Sequence, residues 1–355
     1  VVKTSACSDL ARCLLAGSFA LAAGPSNAAG FQINETSGSG LGNAFAGGAA
    51  VADDATTLWS NPAGMSRLGG RQVAGAIHLV TPSIKFRNDF SAAATQQTLG
   101  GDGGDAGGLN VVPNVYFAMP LNRQWALGIG VNAPWGLVTD YDDGWVGRFQ
   151  ADKSDIKTIN INPAASFRVD DQLSVGFGLN VQWIDATFTN QVNYSALLLQ
   201  AGGPATPGLE SSARIKGSDT AYGFNAGLLW ELDKSRRIGV HFRSSIRYDV
   251  AGDATFANPA TSNAAAPAVN GNALFDSGVT AKVKLPPIAN LSYYGAIDGR
   301  WALMADAQWT GWSTIKDLTF VRSNGAVLAS TPENFKDVWK LAVGANYRYN
   351  DSWLL

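Results

Sequence analysis

Ten segments of the chain alternate apolar with small or polar residues at a period of two, and the connections between them alternate between short and long. After Gln172, Leu173, Val175, Phe177, Leu179, Val181 and Trp183 form one set, and Ser174, Gly176, Gly178, Asn180 and Gln182 form the other. Successive side chains of a strand point to opposite faces, so each segment carries an apolar stripe and a polar one. Repeated through hairpins with tight turns at one end and long loops at the other, the pattern specifies an all-β fold, a transmembrane antiparallel β-barrel with lipid on its apolar face and a lumen on its polar face.

Composition agrees with strands rather than helices crossing a bilayer. The chain is 46% hydrophobic and 15% charged, yet it holds no apolar run of the ~20 residues that a membrane helix needs. Its 40 glycines suit small lumenal positions, and its 11 tryptophans and 9 tyrosines suit aromatic girdles. A soluble sandwich or lipocalin-like barrel also alternates, but its long loops would not gather on one side. Residues 1–28 read as an export signal: Lys3 and Arg12 precede an apolar stretch from Leu14 to Ala23, and Ser26-Asn27-Ala28 offers a cleavage site. Cys7 and Cys13 both fall in that segment, which leaves the mature chain no disulfide and no thiolate chemistry. Without Lys3, Asp9 and Arg12 the 26 cations and 28 anions fall to 24 and 27, so nothing in the bulk charge seeks nucleic acid.

Turn residues place the short connections at 121–124, 170–172, 233–236, 298–300 and 350–352. The long ones cover about 86–110, 136–155, 187–219, 249–279 and 313–337. Strands are expected at about 71–85, 111–120, 125–135, 156–169, 173–186, 220–232, 237–248, 280–297, 301–312 and 338–349, and an eleventh starts at Trp353. Barrels in lipid close on an even count, because an open edge leaves backbone groups unpaired. The barrel region, 71–355, therefore reads as truncated at its C-terminus.

Residues 29–70 neither alternate nor carry enough apolar surface to face lipid, and read as a hatch inside the lumen. This segment contains Gly30-Phe31-Gln32-Ile33-Asn34-Glu35, Ser39-Gly40-Leu41-Gly42-Asn43-Ala44, Ala52-Asp53-Asp54-Ala55 and Asn61-Pro62-Ala63-Gly64. Together with Asn132-Ala133-Pro134-Trp135-Gly136-Leu137 and 155–163, these motifs resemble the FadL-type outer-membrane transporters of long-chain fatty acids and aromatic hydrocarbons. The resemblance implies a barrel of about 14 strands plugged by its N-terminal segment, passive diffusion of apolar substrates, and exit through a side opening in the wall.

Candidate functional residues follow from both readings. Pro134 has no N–H for the ladder, so Pro134, Trp135 and Gly136 mark either a lateral opening or the point where the strand passes into its loop. Extending the alternation through the seventh and eighth segments puts Arg243, Arg247, Lys282 and Lys284 inside the lumen, with Lys340 of the tenth pointing the same way. Such cations would hold a carboxylate or pair with Asp53, Asp54 or Glu35 of the hatch. Phe31 would touch a ligand tail or simply pack. Asn61, Pro62, Ala63 and Gly64 form a turn that fixes the hatch.

No catalytic site is expected. His78 and His241 stand alone, no G-x-S-x-G occurs, and nothing has metal-ligand spacing; neither metal nor cofactor is implied. The expected function is passive uptake of hydrophobic small molecules, most of all long-chain fatty acids, by a monomer embedded in outer-membrane lipid with many membrane passes. Aromatic hydrocarbons are the alternative cargo, and a general porin or a structural barrel the alternative role.

Overall fold

The computed structural model describes residues 30–350 and Trp353. The expected export signal at 1–28, with both cysteines, lies outside the described residues. Fifteen strands form one sheet: β1 (Gln72–Val80), β2 (Asn110–Pro120), β3 (Trp125–Asn132), β4 (Gly136–Asp140), β5 (Lys153–Arg168), β6 (Leu173–Asn193), β7 (Glu210–Glu231), β8 (Arg236–Arg243), β9 (Ile246–Ala257), β10 (Ser277–Leu285), β11 (Ile288–Ala296), β12 (Trp301–Thr310), β13 (Asp317–Arg322), β14 (Val327–Pro332) and β15 (Val338–Tyr347). The main path runs β1-β2-β3-β5-β6-β7-β8-β11-β12-β15, and every pairing is antiparallel. Among the described residues β1 and β15 are its edges.

The short turns share one device. In the first four, an Asn or Asp oxygen accepts from two backbone N–H groups ahead of it, which makes a local turn of the chain. Asn122 Oδ1 accepts from Gln124 and Trp125 (2.8 Å each), and Asp170 Oδ1 from Gln172 and Leu173 (2.7 and 2.8 Å). Asp233 and Asp298 repeat the arrangement. Asn350 Oδ1 receives the Trp353 N–H at 2.9 Å.

Exposed Phe177, Phe224 and Phe242 stack across β6, β7 and β8 on the outer face, with ring centres 6.0 and 6.1 Å apart. Trp125 packs on Phe167 and Trp301 on Tyr347 beside the short turns, where an aromatic girdle belongs.

Two of the expected strands are broken, and four expected loops hold regular structure. The third strand stops early, at Asn132, and β4 lies in the expected loop at 136–155; the seventh splits into β8 and β9 around Ser244-Ser245, and the eighth into β10 and β11 around Pro286-Pro287. β6, β7 and β9 run well past their expected ends into the long-loop side, and β13–β14 is a hairpin docked on β10.

Residues 38–67 form three single turns of helix, α1 (Gly38–Leu41), α2 (Gly48–Val51) and α3 (Thr57–Ser60), then a 3-10 turn over Pro62–Arg67. They lie against β3, β5, β6, β7, β8 and β11 from one side, so the sheet wraps around them. Inward-facing glycines let backbone meet backbone. A Cβ on Gly239 would overlap the Ala49 carbonyl, and one on Gly227 would overlap the Asn61 side chain. Changing Gly239→Val should therefore push this segment off the wall and lower stability by about 1–3 kcal/mol. An unfolding titration of the detergent-solubilised protein would show the loss, and limited proteolysis would show a newly accessible site within 38–67.

Candidate ligand chamber

The segment inside the sheet is held by polar groups aimed at its backbone. Asn61, buried completely, donates to the Ala49 carbonyl (2.7 Å) and the Leu228 carbonyl (3.0 Å), and its Oδ1 accepts from the Ala63 N–H (3.0 Å). Pro62 then starts the 3-10 turn, where a missing N–H costs nothing. Arg237 of β8 donates to the carbonyls of Ala50 and Val51 and to Asp53, with its guanidinium 3.8 Å from the Tyr294 ring centre. Arg67 pairs with Glu231. Asp54 accepts from Ser39 and Thr56 and so bonds within its own segment.

Above this segment lies a floor of amides from the lumenal faces of β3, β5, β6 and β7. Asn162 and Asn180 both donate to Asn225 Oδ1 (2.9 and 3.2 Å), and Asn160 donates to Asn132 (3.2 Å). Asn132 donates to the Tyr116 hydroxyl, which itself donates to the Thr36 carbonyl (2.9 Å). Arg243 completes the floor. It is 4% exposed, donates to Asn180 Oδ1 and to the Trp59 carbonyl (3.0 Å), and stacks 3.5 Å above the Trp59 ring centre. A cavity of about 170 Å³ opens between the inner segment and the wall, lined among others by Asn34, Asp54, Trp59, His241, Arg243 and Lys340.

Over the floor the lumen becomes apolar. Trp135, Ile184, Ala221, Ile246, Tyr248, Leu285, Ile288 and Trp312 form one buried cluster, and Phe31, Ile156 and Phe335 pack on it. Phe31, Trp135 and Trp312 meet edge to face with centroids 5.1–6.0 Å apart, and Phe335 stands 5.7 Å from Trp312. The Tyr248 hydroxyl reaches down to Gln182 at 2.7 Å. The Trp312 indole N–H is buried without a protein acceptor.

The chamber meets the wall at Pro134. The β3–β5 ladder ends at Asn132↔Asn160 and the β4–β5 ladder begins at Gly136↔Lys157, so three residues of one strand oppose two of the other. This is a bulge, and its freed groups bond elsewhere. Thr158 Oγ1 donates to the Trp135 carbonyl (2.7 Å) and accepts its N–H (3.1 Å). The Ile33 N–H reaches the Pro134 carbonyl (2.9 Å), and the Gly136 N–H reaches the Phe31 carbonyl (3.0 Å). Phe31, Pro134, Trp135 and Gly136, singled out in the sequence, thus come together.

The expected lumenal cluster of cations does not form. Arg243 and Lys340 face inward, but Arg247, Lys282 and Lys284 stand on the outer face. Two causes combine. The break at Ser244-Ser245 turns the inward set from 237, 239, 241 and 243 to 246, 248 and 250. In β10, Val279, Ala281, Val283 and Leu285 do share a face, but it is the lumenal one, because the lumen is apolar at this height. Trp312, Tyr248, Ile184 and Arg237 carried no sequence signal that separated them from lipid-facing or ordinary lumenal positions.

Among the described residues no group of three or more His, Cys, Asp or Glu could hold a metal. Changing Arg243→Leu leaves Asn180 Oδ1 and the Trp59 carbonyl without donors, at about 1–3 kcal/mol for each. The measurement is a denaturant titration, with Trp59 fluorescence reporting release of the inner segment at lower denaturant than in the parent.

Residues 19–355 match the family described as outer membrane protein transport protein (OMPP1/FadL/TodX). A long-chain fatty acid transport protein of Salmonella typhi is 29% identical over 335 residues, covering 92% of this chain and 75% of the relative. A 47 kDa outer membrane protein of Pasteurella multocida is 32% identical over 362 residues, covering 97% and 80%. The crystal structure of a Pseudomonas aeruginosa FadL homologue superposes with a TM-score of 0.78 at 25% identity, over 92% of this chain and 79% of that one.

Proposed function

The chain belongs to the outer membrane protein transport family (OMPP1/FadL/TodX), and from that premise we propose that it passes hydrophobic small molecules, long-chain fatty acids first among them, across the bacterial outer membrane by passive diffusion. The observation that carries this reading is the buried aromatic cluster inside the wrapped sheet, set directly against a bulge in the wall and above the cavity beside Arg243 and Lys340. A water-filled porin has no use for a buried apolar lumen occluded from below. A compound with a long alkyl tail gains ~25 cal/mol for each Å² it buries in such a chamber.

In this reading residues 29–70 are the hatch, monomeric barrel and lipid make up the working unit, and no residue acts as a catalyst. The tail takes the place of the Phe31 ring against Trp135 and Trp312, with Tyr248 beside them. The carboxylate turns toward Arg243 or Lys340 at the cavity below, where a charge-assisted hydrogen bond is available. The bulge at Pro134-Trp135-Gly136 is the lateral way out. The printed function of the Salmonella typhi relative, long-chain fatty acid transport, supports the carboxylate. An uncharged aromatic hydrocarbon is the second reading. It is favoured by the engagement of Arg243 with Asn180 and Trp59, and by the absence of any cation from the chamber cluster among the described residues.

Titration of the purified protein with a long-chain fatty acid and with an alkylbenzene separates the two. For fatty-acid cargo, Lys340→Gln combined with Arg243→Gln should weaken fatty-acid binding about tenfold, one charge-assisted contact's worth, and leave the alkylbenzene untouched. Binding of the alkylbenzene alone, indifferent to both changes, makes hydrocarbon the cargo. Deleting Pro134 restores equal residue numbers across the ladder. It should slow uptake into cells several-fold while equilibrium binding stays the same, and unchanged uptake removes the bulge from the route.

A further inference from the structure

The three cations that turned outward mark a second site. On the outer face the side chains change character at one height across neighbouring strands. Ile159 and Trp183, paired across β5 and β6, are followed by Lys157 and Asp185; Phe242 and Ala289, paired across β8 and β11, are followed by Arg247 and Lys284. Apolar and aromatic residues lie on the short-turn side of this line and charges on the long-loop side. That is the upper boundary of the lipid-facing band, at the outer leaflet.

At this line Arg247 and Lys284 are direct cross-strand partners, and Lys282 follows two residues along on the same face. Like charges directly opposite each other in a sheet repel and destabilise the pair. Lys157 nearby is neutralised by Asp155 at 2.8 Å, whereas Arg247, Lys282 and Lys284 make no hydrogen bond or ion pair among the described residues. Asp249, opposite Lys282, receives no ion pair from it, and Asp317 at the start of β13 accepts from Thr319 instead. The surface thus holds three cations free of ion pairs on two successive same-face rungs of the ladder, with Asp249 the one anion among those four positions, at the depth of lipid headgroups.

We propose that Arg247, Lys284 and Lys282 form a binding site for the phosphate of a phosphorylated glycolipid of the outer leaflet, a lipid A-type molecule. Arg247 supplies a planar fork that matches two phosphate oxygens and Lys284 a compact charge beside it. The acyl chains of the same molecule lie down the apolar face over Phe242 and Leu291, both exposed there. A phosphate shared between Arg247 and Lys284 turns their repulsion into a bridge. The inference needs only the outer-membrane location and stands whichever cargo the chamber carries.

The test is native mass spectrometry of the full chain in detergent, titrated with bis-phosphorylated lipid A and, separately, with its fully dephosphorylated form. The double variant Arg247→Gln/Lys284→Gln is compared with Arg123→Gln/Arg300→Gln, which removes equal charge from the short-turn end. At about 1 kcal/mol for each cation near a charged surface, the first variant should bind phosphorylated lipid A about thirtyfold more weakly. The second should match the parent, and the dephosphorylated lipid should bind all three alike and weakly. Equal retention of phosphorylated lipid by both variants, or equal retention of both lipids by the parent, overturns the proposal. Heat-modifiable gel mobility confirms that each variant is folded, and fatty-acid binding should be the same in both.

Discussion

Side-chain direction in a strand has a period of two, and in a lipid-embedded wall it cannot be relaxed locally: a residue faces either lipid or lumen. Every other feature here depends on where that parity is kept and where it is broken. Below the chamber the strands alternate without interruption, so amides collect on one face and Leu, Val and Phe on the other. At chamber height β3–β4, β8–β9 and β10–β11 all break. Those breaks turn Ile246, Tyr248, Leu285 and Trp135 into the lumen. The chamber is thus apolar because the wall strands change phase around it, while the outer face stays continuous enough to meet lipid.

The inner segment obeys a different constraint. Leu58, Met65 and Leu68 seat it against Tyr116, Ala118 and Ala126, but its backbone groups must also find partners away from bulk water. Wall glycines remove the side chains that would hold it away, and Asn61, Arg237 and Arg243 supply donors to its carbonyls. Stacking on Tyr294 and Trp59 lowers the cost of burying the two guanidiniums, most of all for Arg243, which has no carboxylate partner, since an aromatic face attracts a cation most strongly where water is absent.

This division explains what was legible in the sequence. The alternation, the Asn and Asp turns, the Asn61-Pro62 cap and the irregularity at Pro134 are local patterns, and each stands where its residues predict. The apolar lumen was hidden because Val279, Ala281, Val283 and Leu285 look the same whether lipid or a buried lumenal cluster receives them. A one-residue change of phase at Ser244-Ser245 carries no compositional mark, so a parity read correctly at Arg243 fails at Arg247. Arg237 was hidden for the opposite reason: it acts on backbone carbonyls of a distant segment, and backbone has no sequence signature.

The closure over the bulge is the weak element of the assembly. The part of the inner segment from Ala46 to Met65 is mostly buried, clamped by two arginines and an asparagine, and seated on glycines. Residues 31–33 are tied to the bulge by two backbone hydrogen bonds and by the Phe31 ring. In net terms such bonds contribute only about 0.5–1.5 kcal/mol each, and Phe31 is only half-buried. Stability is therefore graded along one short stretch, firm where it blocks the lumen and loose where it covers the wall, and the loosest elements of a fold are the ones that open first. In the proposed route an apolar ligand competes with Phe31 for the same Trp135 and Trp312 surfaces. On that proposal the contact that closes the bulge is the one that a bound ligand weakens.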